Sequence, residues 1–280
     1  MTTREIHRQA KLKQALSLNL QGRLRKGKRR VPKVPRSVSV QYLTAIREIL
    51  DTIRDYVNEN ILPLVRELPS LRKDAVSSEL QNKFNLIKVK IASEVNEPWF
   101  RVSLNKVGQR VSEYNLREMS AAIGINLRDS DATIAGFLDR FRRENVGLIS
   151  SMATRYLEQV EEVIANAQNN ALRVEEVGKQ ISERFGVAES HAVLIARDQV
   201  LKANADLSRE RQRAVGIEEY IWSTSNDERV RSEHEELDGT RQRWDTPPVF
   251  EDGTSGHPGE PILCRCVAIP VLPWEGVEDA

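Results

Sequence analysis

The spacing of the apolar residues changes once along this chain, at Gly216, and that change divides what each part can fold into. Upstream, Leu43, Ile46, Ile49, Leu50, Ile53, Tyr56, Val57, Ile61 and Leu62 recur every three or four residues, tracing one face of a helix. Val76, Leu80, Phe84, Ile87, Ile91 and Val95 form a second such stripe, and Val102, Val107, Val111 and Tyr114 a third. Pro63 and Pro69 are expected to end or kink the first helix, Pro98 to stop the second, and Gly124 to sit in a turn. Asp129 and Asp131 are expected to cap a helix bearing Ile134, Phe137, Leu138 and Phe141. Further helices are predicted over 148–167, over 171–185 with Gly186 closing it, and over 187–214. After Gly216 the period falls to two. Residues 219–224 read as a strand, 227–237 as a short helix ended by Asp238 and Gly239, and 240–245 as a second strand. Residues 246–261 hold four prolines and three glycines and read as an ordered loop, before a last strand over 262–271. The expected fold is mainly α: an elongated multi-helix body with a small C-terminal α+β module. Its divisions are a basic tail (1–36), a helical region (37–143), a second helical part (144–215) and the module (216–274).

Composition suits that picture. Aromatic residues are 5% and charged residues 30% of the 280, with a mean hydropathy of −0.48, as in a helical protein with a lean core. No apolar run approaches the roughly 18 residues that span a bilayer, so no membrane partner is expected. The two cysteines are one residue apart and make no disulfide framework, which points to a reducing compartment and synthesis in a cytoplasm. The net charge of +1 hides an asymmetry. Residues 1–36 carry twelve Lys or Arg against Glu5 alone, a balance of +11 that leaves −10 on the remainder. Arg23, Arg25, Lys26, Lys28, Arg29 and Arg30 are therefore candidates for contact with nucleic-acid phosphates or an acidic protein surface. A solvated tail without a fixed partner is the alternative.

Chemistry-bearing residues concentrate in the module. His234, His257, Cys264 and Cys266 comprise both cysteines and two of the four histidines. On a strand, Cys264 and Cys266 point to one face while Arg265 points away. With two imidazoles they make a Cys₂His₂ set, the ligand complement of a closed structural zinc site. The competing reading makes the thiols small buried hydrophobes beside locally bonded histidines. Asp227, Arg231, His234 and Asp238 fall at i, i+4, i+7 and i+11, a row on one helix face. That row can serve acid–base chemistry, or it can pin the helix against the strand holding Trp222 and Arg265; the second reading is favoured because no nucleophile stands beside it. Glycine-rich phosphate loops, nucleophile elbows and zinc-protease helices are absent from the sequence.

An ordered series of motifs adds a resemblance. Ile195-Ala-Arg-Asp-Gln-Val-Leu-Lys-Ala-Asn204 is followed by Gly216-Ile217, by Trp222-Ser-Thr, and by Asp227 with Val230, Arg231 and His234. Leu237 with Gly239, and finally Cys264-Arg265-Cys266, complete it. Residues 145–270 thereby resemble the phage Mu F-like minor head proteins, also called head-morphogenesis proteins. That family usually shows Arg-Thr-Glu after the Ile-Ala pair; here Arg197-Asp198-Gln199 moves the acid by one position. The resemblance implies a non-catalytic minor capsid protein associated with portal, scaffold or major capsid protein. It would be present in the host cytoplasm during prohead assembly and then inside the virion head beside packaged DNA. On this reading Trp222, Asp227, Arg231, Gly239 and Arg265 are structural motif residues. The alternative is a metal-dependent nuclease or toxin-like enzyme carried by the module.

Overall fold

The computed structural model describes residues 30–67, 73–128, 134–170 and 172–272. Helices α1 (Arg36–Asn60), α2 (Leu62–Glu67), α3 (Lys73–Glu94), α4 (Pro98–Ile123), α5 (Ile134–Asn170) and α6 (Val174–Ala214) precede the change of period. Then come β1 (Glu219–Ser223), the short α7 (Ser232–Glu236), β2 (Arg241–Arg243) and β3 (Val267–Val271). The mainly α fold with a small terminal α+β module is the observed one. No described helix is long and apolar enough to cross a membrane.

Proline placement follows the missing N–H. Pro98 opens α4 and Pro63 stands in the first turn of α2, positions where a helix asks for no backbone donor. Pro69 and the Asp129–Asp131 cap lie outside the described residues. Two expected interruptions do not occur. The stripes of 134–141 and 148–167 belong to one helix, α5, and Gly186 lies inside α6 rather than closing a helix. The residues after Gly186 keep the helical spacing, with Ala188, Ala192, Ile195 and Ala196 buried. A mid-helix glycine costs only about 1 kcal/mol, which that burial outweighs. Gly216 does end α6: its φ is +82°, its N–H bonds to Arg213 O, and the Ile217 N–H reaches back to Gln212 O at 3.0 Å. This pairing answers the last carbonyls of the helix and needs a left-handed residue.

The chain forms two compact units, each assembled from separated stretches. One, residues 39–107 and 140–196, holds helices and no strand among its described residues. Its core holds Tyr42, Ile46, Ile49, Leu50, Ile53, Phe100, Leu104, Tyr156 and Leu157, each buried. The Tyr42 hydroxyl donates to Asn145 Oδ1, whose Nδ2 donates to Phe141 O at 2.7 Å, so this buried polar pair is satisfied. Lys88 pairs with Glu161 at 2.8 Å on the unit's half-exposed surface.

The other unit draws its described residues from 30–38, 108–128, 134–139 and 197–272. Met119, Ile123, Ile125, Leu127, Val215 and Ile217 form one buried cluster. Beside α4 and α6, the buried Arg211 guanidinium donates to Ser112 O (3.0 Å), Ser112 Oγ (2.7 Å) and Asn115 Oδ1 (2.6 Å). Asn115 in turn donates to Asn204 O and Ser208 Oγ. The unit also carries the three-stranded antiparallel sheet, in the order β2-β1-β3. Central β1 pairs Tyr220 with Pro270 and Trp222 with Ala268. Its alternation puts Tyr220 and Trp222, both fully buried, on one face with Trp244, Cys264, Cys266 and Ala268.

Candidate functional site

The site is built where loop 257–266 folds over the buried face of β1. Its first half is a tight turn closed by the Glu260 N–H to His257 O (3.0 Å), with Gly259 at φ +88°. Glu260 fixes this turn twice: its Oε2 accepts from the His257 N–H at 2.7 Å, and its Oε1 pairs with Arg209 on α6. A second turn, Cys264 N–H to Pro261 O, places Leu263 at φ +56°. A leucine there is strained by about 1–2 kcal/mol. Asp198 offsets the strain, since its Oδ1 accepts the Leu263 N–H at 2.7 Å while Oδ2 takes Lys202 at 2.8 Å. The shifted acid of the Arg197-Asp198-Gln199 motif therefore ties α6 to the cysteine loop.

Cys264 and Cys266 precede β3 and do not sit on it, because the strand begins only at Val267. The expected strand over 262–271 is therefore shorter, and the two sulfurs converge through turn geometry instead of strand alternation. His234 Nδ1 lies 3.6 Å from each sulfur, and the three side chains are buried. All three ligand atoms lie within 4.8 Å of one another, the one such group of three or more among the described residues. Trp222 meets the His234 ring edge-on at 5.3 Å, and Phe250 packs on it at 5.2 Å. Gly259 N–H donates to Cys264 Sγ at 3.3 Å. A hydrogen bond from Cys266 draws the Cys264 thiol down to about 5 against the effect of burial, with His234 and the Gly259 N–H contributing less. Cys266 is pushed up, first by its bond to Cys264 and then by burial.

His257 is not part of this group, which corrects the four-ligand expectation. It is buried, with Nδ1 2.9 Å from the Tyr220 hydroxyl and its ring edge-on to Trp244 at 4.9 Å. Burial is the largest influence lowering its pKa, opposed by Glu260 and by a backbone hydrogen bond to Trp244. Burial also raises Tyr220, so the phenol stays neutral beside the imidazole. Unfolded histidine titrates at about 6.5. Between that value and the lower folded one the unfolded chain binds more protons, so stability rises with pH through this window. The thermal midpoint is expected to be lower at pH 5.5 than at pH 7.5, with a smaller drop in His257→Gln. An equal drop in that variant would remove His257 as the cause.

The Asp–Arg–His–Asp row is also redrawn. Residues 227–230 form a turn, Arg231 is the extended N-cap, and α7 begins only at Ser232, so the four do not share a helix face. Each holds something different. Asp227 forms a two-pronged ion pair with Arg265, which holds its carboxyl below the usual range. Arg231 donates to Ile262 O at 2.8 Å. Asp238 Oδ1 accepts from the Thr224 N–H at 2.7 Å, tying the end of β1 to the turn that Gly239 makes at φ +74° and that the Thr240 N–H closes onto Leu237 O. Arg30 of the basic set pairs with Glu118 at 3.2 Å within its own unit; Arg23, Arg25, Lys26, Lys28 and Arg29 lie outside the described residues.

Trp222, Asp227, Arg231, Asp238 and Arg265 thus brace the module, and His234, Cys264 and Cys266 form one buried S,S,N cluster. Residues 158–269 match the family described as Phage Mu protein F like protein. This stretch is similar to the members of that family. An uncharacterized protein of Haemophilus influenzae is 41% identical over 128 residues, 46% of this chain and 28% of that relative. The chain therefore spans under a third of the length of that curated relative. No solved structure matches it. Within the Mu F-like stretch, Asp198, Tyr220 and Phe250 hold or line the site and were not picked out from sequence as site residues. Asp198 carried a weak signal, an acid inside a motif, whereas Tyr220 and Phe250 carried none beyond being aromatic.

Proposed function

We propose that the chain is a minor head protein of a tailed phage, acting in prohead assembly and retained inside the head without catalysing a reaction. The match of residues 158–269 to the phage Mu F-like family carries this reading. The module supports a structural role, because Asp227, Arg231, Asp238 and Arg265 are spent on internal bonds. On this reading the module docks on the portal or scaffold. The segment 1–36, with its +11 balance, contacts packaged DNA without sequence preference, through phosphate neutralisation that weakens steeply as salt rises.

The test is co-expression of the full chain with the portal, scaffold and major capsid proteins of its own phage, followed by sedimentation of proheads. The chain is expected to travel with proheads and to leave that fraction when portal is omitted. Proheads that form with portal present but exclude the chain would overturn the reading. For the tail, DNA affinity is expected to fall with salt and to drop sharply on deletion of residues 1–36; affinity unchanged by the deletion would refute that part.

A further inference from the structure

We propose that His234 Nδ1, Cys264 Sγ and Cys266 Sγ hold one zinc ion, a structural tie between α7 and the 257–266 loop. The geometry is the first argument. Bond lengths of about 2.3 Å to sulfur and about 2.05 Å to nitrogen, at a tetrahedral angle, set sulfur and nitrogen about 3.6 Å apart. Both sulfurs stand 3.6 Å from Nδ1. Packing alone imposes no such equality, since van der Waals contact sets only a lower limit on each distance.

Donor chemistry is the second argument. Two thiolates and one imidazole are soft ligands that favour zinc over magnesium or calcium. No carboxylate joins the group among the described residues. A divalent ion with two thiolates is neutral overall, so the assembly avoids the penalty of burying net charge.

The surroundings are the third. Metal-bound sulfurs are strong acceptors, and a donor already addresses Cys264, the Gly259 N–H at 3.3 Å. The buried Trp222 indole N–H has no hydrogen-bond partner among the described residues. A crevice lined by Leu201, Ala205, Pro258, Gly259 and Val267 reaches both cysteines. This inference does not depend on the head-protein reading.

The experiment uses the full chain expressed with zinc in the medium, and reads metal by elemental analysis and donor set by cobalt substitution. About one zinc per chain is expected, with the thiolate-to-cobalt charge-transfer band and intense visible bands of a tetrahedral cobalt ion. Zinc content should fall more than about tenfold in Cys264→Ser/Cys266→Ser and in His234→Gln. It should stay at the wild-type level in His257→Gln, which separates this three-residue set from one that includes His257. Circular dichroism identifies any variant that has not folded, and the wild-type cobalt spectrum decides the matter without variants. Folded wild-type chain that holds no stoichiometric zinc and gives no thiolate–cobalt band would overturn the proposal. Loss of zinc in folded His257→Gln would overturn the assigned ligand set.

Discussion

Alanine at position 259 is expected to destabilise the module by about 2–5 kcal/mol, enough to open loop 257–266. Two separate penalties combine. Gly259 has φ +88°, where a Cβ costs about 1–2 kcal/mol. That Cβ would also lie 2.7 Å from Ala205 Cβ on α6, an overlap neither side can escape by turning a rotamer. Overpacking of this kind costs about 1–3 kcal/mol. The two parts can be measured apart. Gly239→Ala meets nothing within 4 Å although its φ is +74°, so it should lose only the first part. Gly259→Ala combined with Ala205→Gly should recover the contact part, less about 1 kcal/mol for a helical glycine. Urea unfolding of the three variants checks it; equal losses in Gly259→Ala and Gly239→Ala would show that the approach to α6 is not tight.

Helix content was legible because it depends on local spacing, and the stripes from Leu43 to Leu207 became α1 and α3–α6. What failed was punctuation. Gly186 looked like a stop because glycine alone is ambiguous; only the burial of Ala188 and Ala192 shows that the helix runs on. Gly216, by contrast, was placed correctly, since the apolar period changes beyond it. Cysteine convergence was anticipated for the wrong reason. Alternation along a strand was the argument, whereas a turn at Leu263, stabilised from α6 by Asp198, is the cause. No local pattern encodes a hydrogen bond between residues 65 positions apart.

The role of His257 was unreadable in the same way. A histidine near two cysteines suggests a ligand, and its actual partner, Tyr220, lies 37 residues upstream on β1. The row from Asp227 to Asp238 shows a related error. Spacings of four, three and four matter only if the backbone is helical throughout, and the first four residues form a turn before an extended Arg231. Asp227 does pair with Arg265, but from a turn and not from a helix face.

Trp222→Ala is expected to cost about 3–5 kcal/mol, the range for deleting a large aromatic from a core. Trp222 is fully buried on the central strand and forms one wall of the His234 pocket together with Phe250. Removing it therefore leaves a void beneath the cysteine cluster and exposes the underside of α7. Against a typical domain stability of about 5–15 kcal/mol, this loss should unfold the module in an appreciable fraction of molecules. Hydrogen exchange at the β1 and β3 amides reads the module apart from the helices and should accelerate markedly. Ile262→Ala, at a side chain 66% exposed in the same module, should change stability by no more than about 0.5 kcal/mol. Performed with a chelator present, the comparison isolates packing from any bound ion. Comparable, small losses in the two variants would mean that the sheet face under His234 does not hold the module together, and the bracing role assigned to the whole Trp222–Cys266 series would fall with it.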